Sequence, residues 1–247
     1  MLAASRKTLK SAFKGLVRWR PHADVHFAQE GEDIVLARLF SGQKNGFYID
    51  VGAHHPRRFS NSYWAYQRGW RGINIDSAPG SRAQFNRVRP RDINIEACIS
   101  ETGNHVEFFV FPEGALNTAV SARKDEIENH TQSPGKRVVV SADRLGSILE
   151  AHLPCDMEIV DFMSIDVEGS EMAVLRTNDW SRCRPRVVVI EVLSRVLENV
   201  GESEEIRFLK DLGYVPVSML YHSVVLVGDE ALLATHWQTP PERDSGG

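Results

Sequence analysis

Cysteine is scarce here and odd in number: Cys98, Cys155 and Cys183 stand far apart, with no Cys-x-x-Cys pair among them. That set builds neither a disulfide framework nor a zinc site, so a reducing, cytoplasmic setting is expected. No apolar run reaches the ~18 to 20 residues that cross a bilayer. The net charge of -4 gives no global reason to expect nucleic acid as a partner. No internal repeat is visible. What remains is a chain of 247 residues with an ordinary share of hydrophobic side chains, long enough for one full α/β core.

Acid is missing altogether from Met1 to Arg20, which carries Arg6, Lys7, Lys10, Lys14, Arg18 and Arg20. Leu9, Phe13, Leu16 and Val17 fall at helical spacing with the cations mostly around the other face, the pattern of a helix lying on an anionic surface. The segment lacks the apolar centre and small-residue cleavage site of a secretory signal. A leader helix packed on the domain, or frayed from it, accounts for the same pattern. The expected organisation is a basic amphipathic leader over 1–26, one catalytic domain over 27–237 and a disordered tail over 238–247. A peripheral place at the inner membrane face follows if the leader meets lipid.

Strand and helix signals alternate along the domain, which predicts a largely parallel sheet with helices on its faces. Strands are expected at Gly46–Val51, Ile73–Ile75, Ile93–Ile99, Val106–Phe111, Lys136–Ser141, Val160–Ile165 and Val187–Ile190, with a terminal hairpin over Tyr214–Leu220 and Ser223–Val227. Helices are expected after the acid-rich Gln29-Glu30-Gly31-Glu32-Asp33, over Ser60–Arg68 with Ser60 or Asn61 as cap, and over Pro79–Arg89, Asp143–Ala151, Glu168–Asn178 and Glu204–Leu212. Residues 112–135 read as the longest irregular region, a lid or binding loop.

The first strand, Phe47-Tyr48-Ile49-Asp50-Val51, opens into Gly52-Ala53-His54-His55-Pro56. In an open α/β sheet, ligands sit beyond the carboxyl ends of the strands. A dinucleotide fold needs Gly-x-Gly-x-x-Gly so that backbone can approach a pyrophosphate, and here one glycine stands where three are wanted. The missing glycines argue against a nicotinamide oxidoreductase and for a ligand without a pyrophosphate, such as S-adenosylmethionine. Its amino-acid end needs a glycine turn with an acid nearby, and its ribose needs an acid further on. Asp76, 26 residues after Asp50 and at the end of the next strand, suits the ribose hydroxyls. Each acid alone reads equally well as a helix cap. Asp50, Gly52, Ala53, Asp76, Ser77 and Asp166 are therefore the candidate cofactor-binding residues.

A second constellation is Ser164-Ile165-Asp166-Val167-Glu168-Gly169-Ser170-Glu171, where an apolar strand again ends in acid. Methyl transfer to a hydroxyl requires removal of the hydroxyl proton, which a positioned carboxylate or imidazole provides. Glu168, Asp166 and His54 are the catalytic candidates. Asp166 and Glu168 with Glu191, at the next strand end, alternatively offer oxygen ligands to a divalent cation. Glu168 and Glu171 also read as acids neutralising a helix N-terminus. His55 reads as a polar loop residue, Trp64, Tyr66 and Trp70 as core, and Arg82, Arg87, Arg89 and Arg91 as a solvated helix face.

Taken together, Gln29-Glu30-Gly31-Glu32-Asp33, Phe47 to Ala53, Gly69-Trp70-Arg71-Gly72-Ile73 and Ile165 to Glu171 resemble the FkbM-type methyltransferases, over roughly residues 27 to 228. The resemblance implies a class I methyltransferase (Rossmann-like) fold: an α/β sheet of about seven strands, mostly parallel with a reversed last strand, and helices on both faces. It implies S-adenosyl-L-methionine as donor and oxygen as acceptor, commonly a hydroxyl of a sugar or a polyketide-type product, in a setting of surface-glycan assembly. Where the family often has Ile-Glu-Pro at the second strand end, this chain has Ile75-Asp76-Ser77. Similar sugar methyltransferases use acids and magnesium; extended to this chain, that likeness makes Asp166 and Glu191 the Mg2+ ligands and Glu168 the base. The sequence-level function is an O-methyltransferase of a glycan or glycolipid precursor. Methylation of a polyketide-type or other small-molecule hydroxyl is the alternative among enzymes, and a non-catalytic S-adenosylmethionine-binding module of a glycan-assembly complex is the alternative outside them.

Overall fold

The computed structural model describes residues 25–155, 157, 159–192 and 200–229. The leader to residue 24 and the tail over 238–247 lie outside the described residues. A seven-stranded sheet forms the centre. Its strands in chain order are β1 (Phe47–Val51), β2 (Arg71–Asp76), β3 (Ile93–Glu96), β7 (Phe162–Ile165), β8 (Val187–Glu191), β9 (Tyr214–Met219) and β10 (Ser223–Gly228). They lie in the order β3-β2-β1-β7-β8-β10-β9. All neighbouring pairs are parallel except those of β10, which runs against both β8 and β9. The terminal hairpin and its reversed last strand are thus as expected.

Period-two alternation of side chains explains why helices cover both faces. Phe47, Ile49 and Val51 of β1, with Met163 and Ile165 of β7 and Val188 and Ile190 of β8, join one buried cluster. Leu145, Ile148 and Leu149 of α5 (Leu145–His152) pack into it, with Val174 and Leu175 of α6 (Glu171–Thr177) and Ile206 and Leu209 of α7 (Glu204–Asp211). Tyr48, Phe162, Val187 and Val189 point the other way. They meet Leu36 of α1 (Glu32–Leu39) and Trp64 of α2 (Tyr63–Gln67), with Trp70 beside them. Trp64 and Trp70 are core residues, as expected.

The expected strand over Ile93–Ile99 breaks at Ala97, whose amide donates to Asp76 O at 3.1 Å. Beyond it, β4 (Cys98–Ile99) enters a second, three-stranded sheet with β5 (Asn104–Val110) and β6 (Lys136–Asp143). Residues 112–135, expected to be irregular, contain a 3-10 turn over Gly114–Leu116 and a helix, α4 (Ser121–Thr131). Only Ile127 of α4 is buried, so no apolar stripe announced it; Lys124 and Glu128 pair at 2.9 Å along its surface. The helix expected over Ser60–Arg68 begins after Ser62, with Ser60 Oγ accepting the Tyr63 amide at 3.2 Å. Between β2 and β3, α3 (Ser81–Val88) lies where Pro79–Arg89 was expected.

Of the arginine cluster, Arg82, Arg87 and Arg91 are exposed as expected, and Arg89 departs from the reading as a solvated face. Arg89 is fully buried and donates to Asp92 at 2.8 Å, Tyr48 Oη at 2.6 Å and Ser62 Oγ at 3.0 Å. The chain leaves α3 at this point and turns inward, which periodicity does not reveal.

Candidate active site

Because β1, β2, β7 and β8 are parallel and in register, Val51, Asp76, Ile165 and Glu191 finish along one edge of the sheet. A cavity of about 390 Å³ opens there, within the range of roughly 300 to 1,000 Å³ usual for small-molecule sites. Gly52, His54, Asp76, Ser77, Asp166, Glu168 and Glu191, seven of the sequence-derived candidates, all line it. Asp50 and Ala53 do not: both are buried, and the Asp50 carboxylate turns away to accept the Ser62 hydroxyl. Through Ser62, Asp50 anchors the segment that follows the turn after β1.

Gly52 adopts φ 79, and a Cβ built on it would stand 1.6 Å from the carbonyl oxygen of Asp166. The single glycine of the motif is thus required by the seam between β1 and β7, where two strand ends close on each other. Its amide donates to Ile75 O at 2.9 Å, and that of Ala53 to the same oxygen at 3.1 Å. Asp76 accepts the His54 amide on Oδ2 and the Ala78 amide on Oδ1, each at 2.8 Å. Burial pushes its carboxyl up to about 6, against the pull of those two amides. Each Asp76 oxygen retains acceptor capacity toward the cavity, which fits a ligand bearing two adjacent hydroxyls such as the ribose of S-adenosylmethionine.

The His54 backbone is left-handed at φ 52, and its Nε2 has no hydrogen-bond partner among the described residues. Burial, then the nearby Arg58 guanidinium, lowers the pKa of this ring. Arg58 reaches across to Glu113 through two bonds of 2.8 Å, joining the turn after β1 to the loop before α4.

Along the sheet, Asp166, Glu168 and Glu191 bring one carboxylate oxygen each to within 4.8 Å of one another. Glu168 (φ 52) and Gly169 (φ 101) are left-handed and lie outside α6, which begins at Glu171. It is Glu171 that answers the helix start, accepting the amides of Val167 and Gly169 at 3.2 and 3.1 Å. Glu168 is thereby free for the cavity, where its Oε2 accepts Arg123 Nη2 at 2.9 Å and Nε at 3.2 Å. Arg123 belongs to α4, so the inserted helix supplies the cation facing the acids. Asp166 is exposed to the cavity yet walled in by protein; burial first, then Glu168 and Glu171, raises its pKa well above the carboxylate range. Burial raises that of Glu168 against Arg123, and burial with Asp166 and Glu168 pushes Glu191 up to about 10. The three acids therefore share protons rather than titrate separately. Glu191 Oε2 has no hydrogen-bond partner among the described residues.

A cavity at the carboxyl edge of a 3-2-1-7-8-10-9 sheet, with a glycine turn after the first strand and an acid after the second, meets its counterpart in sequence comparison. The profile of the Methyltransferase FkbM domain matches residues 50–216, more than half of the chain. The chain belongs to the FkbM methyltransferase family. It is an S-adenosylmethionine-dependent methyltransferase.

Among solved structures, this FkbM-family protein is similar to a TehB-like SAM-dependent methyltransferase from Corynebacterium glutamicum, at 9% identity over 92% of this chain and 99% of that one, TM-score 0.42. It is also similar to the Burkholderia thailandensis 1,6-didemethyltoxoflavin-N1-methyltransferase with bound 1,6-didemethyltoxoflavin and S-adenosylhomocysteine, at 11% identity over 90% of this chain and 86% of that one, TM-score 0.42. A third similarity is to an O-methyltransferase from Bacillus cereus in complex with S-adenosylhomocysteine, at 14% identity over 90% of each chain, TM-score 0.35. A search of curated protein sequences finds no match.

Several residues that line the cavity of this FkbM-family methyltransferase escaped the motif reading: Arg123, Asn117, His222, Ser223, and Glu30 and Glu32 as site residues. Glu30 and Glu32 stood in a quoted motif, where they read only as the acidic start of a helix. Among the described residues no helix is long and apolar enough to cross a membrane.

Proposed function

We propose that this methyltransferase transfers its methyl group to a sugar hydroxyl of a glycan or glycolipid precursor. The observation that carries the reading is the wall formed by Asp166, Glu168 and Glu191 beside Arg123, on the same cavity as Asp76. Closely spaced carboxylates accept hydrogen bonds from adjacent hydroxyls, and a guanidinium donates to ring and hydroxyl oxygens, so the wall suits a polyhydroxylated acceptor. S-adenosylmethionine supplies an electrophilic methyl carried on a positively charged sulfur. The chain's own part is to hold the ribose through Asp76, to close the loop after Gly52, and to orient one hydroxyl while its proton is removed.

The same three carboxylates fit Mg2+, a hard cation that takes oxygen ligands. Asp166 and Glu191 would hold it with Glu168 beside them, and it would supply charge to favour the ionised acceptor hydroxyl. The unpartnered Oε2 of Glu191 and the elevated pKa values of Asp166 and Glu191 are what a cation would relieve. The basic leader is proposed to rest on anionic lipid at the inner face of the membrane, where a lipid-linked acceptor is assembled. Flotation with anionic liposomes of the full chain against one lacking residues 1–20 tests this, and equal partitioning would remove it.

Mass spectrometry of surface glycans from cells with and without the protein tests the acceptor. Loss of one O-methyl sugar is expected; an unchanged glycan set would overturn the assignment. Titration calorimetry with S-adenosylhomocysteine tests the donor site separately.

A further inference from the structure

We propose that His222 is the general base of this enzyme and that Glu30 is the residue that positions it. The inference rests on the reading of the protein as a hydroxyl-directed methyltransferase. Both residues lie outside residues 50–216, the part of the chain that the family profile matches.

The reversal of β10 brings His222 to the site. A strand antiparallel to β8 starts where β8 ends, and Ser223 stands opposite Glu191 in register. His222 precedes it, so the turn between β9 and β10 opens onto the same sheet edge as Asp166 and Glu191. His222 lines the cavity with them. Its backbone oxygen accepts the Val192 amide at 2.7 Å, one residue beyond Glu191, which fixes the turn against β8.

Glu30 then spends both carboxylate oxygens on this one residue. Oε2 accepts the His222 amide at 2.8 Å and Oε1 meets the ring Nδ1 at 2.6 Å. A carboxylate only accepts, so Nδ1 carries the hydrogen and Nε2 is left with its lone pair. Nε2 has no hydrogen bond among the described residues. Glu32 secures the arrangement from both sides, taking the Glu30 amide at 2.9 Å and the Ser223 hydroxyl at 2.9 Å. The Tyr221 ring meets the imidazole edge-on at 4.2 Å. The pair is shielded without being sealed: the side chains of His222 and Glu30 are 25% and 13% exposed. A carboxylate that fixes the tautomer of an imidazole, on a residue that lines the cavity, is the arrangement of a base with its orienting acid.

The other two candidates are worse placed for this task. Glu168 is committed to Arg123 and has carboxylate oxygens of Asp166 and Glu191 within 4.8 Å. His54 sits in the turn after β1, beside Asp76 and against Phe59, at the donor side of the cavity. In the step assigned to His222, the acceptor hydroxyl gives its proton to Nε2 as its oxygen bonds to the methyl carbon. The carbon–sulfur pair remains on sulfur, which becomes a neutral thioether, and the imidazolium returns its proton to water.

The test uses the full chain, S-adenosylmethionine labelled in its methyl group, and two acceptor sources: a panel of methyl glycosides and a detergent-solubilised cell-envelope lipid extract. His222→Asn retains a donor toward Glu30 but has no base; His222→Ala opens a space for free imidazole. The expected result is a fall in kcat of about 10²-fold or more for both. Acceptor KM and the Kd for S-adenosylhomocysteine should stay within about threefold of the unaltered protein, and imidazole should restore part of the activity of His222→Ala. Glu30→Gln should lose about tenfold in kcat, with Glu30→Asp recovering part of it. Activity of His222→Asn within about threefold of the unaltered protein would overturn the inference while leaving the proposed function standing. Loss of S-adenosylhomocysteine binding in both His222 variants would give the pair a structural role and overturn it equally. If the unaltered protein labels neither acceptor source, the hydroxyl-directed reading fails and this inference with it.

Discussion

The amide of His54 donates to Asp76 Oδ2 at 2.8 Å, and so ties the turn after the first strand to the end of the second. With the Ala78 amide on Oδ1, the carboxylate is fixed in place by backbone alone, and its remaining acceptor sites face the cavity. The loop and the acid were read from the sequence as two separate cofactor contacts. They form one unit, in which the acid holds the loop.

That unit makes donor binding pH-dependent. Asp76 has a pKa raised to about 6 by burial, so it is ionised at pH 7 to 8 and becomes a neutral acid as pH falls below about 6. The neutral form loses charge-assisted bonds worth roughly 1.5 to 3 kcal/mol, or about 10- to 100-fold in affinity. Calorimetry from pH 5 to 8 should show the Kd for S-adenosylhomocysteine steady at the upper end and rising below about 6. Asp76→Asn should bind weakly at every pH with little slope.

Gly52→Ala should fail as a fold before it fails as a site. The added methyl meets the Asp166 carbonyl at 1.6 Å in a left-handed backbone, so both strand ends must part. Strain and overpacking together should cost ~2–4 kcal/mol. Urea unfolding gives the number; a midpoint equal to that of the unaltered protein would contradict the packing argument.

Arg89→Leu should be among the more damaging substitutions far from the chemistry. It strands Asp92 without its cation and removes the bond that steadies Ser62, the donor to Asp50. Breaking one side of a buried pair costs about 3–5 kcal/mol. The double variant Arg89→Leu, Asp92→Asn should recover part of it, because the unpaired charge is gone; no recovery in the melting curve would argue for lost packing instead.

If Mg2+ occupies the acid cluster, added MgCl2 should raise Tm, because a ligand of the native state stabilises by mass action. The rise should be larger at higher pH, since Asp166 and Glu191 have raised pKa values and a cation competes with their protons. Glu191→Gln should abolish it. Equal Tm with and without the ion across pH 6 to 9, and turnover indifferent to EDTA, would remove magnesium from the proposal.

Much of the fold was legible in advance because its signals are local. Alternation of apolar runs with helical patterns marked every strand of the central sheet, and acid or glycine at strand ends marked the cavity's edge. The misses have physical causes. The sequence of α4 buries only Ile127 and has no stripe to read, so a helix that delivers Arg123 looked like a loop. Arg89 is surrounded by other arginines in sequence and by Asp92, Tyr48 and Ser62 in space.

The chain's own order of residues determined the α/β alternation, the glycine turn and the three acids that finish β2, β7 and β8. Those are properties of short segments, set by side-chain period and backbone freedom. Tertiary structure alone decided which groups meet. Asp50 faces inward because its strand position points it at Ser62, and Gly52 is required by the carbonyl of Asp166, which follows a strand more than 100 residues away. Glu30 and His222 stand 192 residues apart and touch only because β10 runs backward against β8. No local pattern encodes that reversal's consequence, since the bond depends on where two remote turns arrive on one sheet edge.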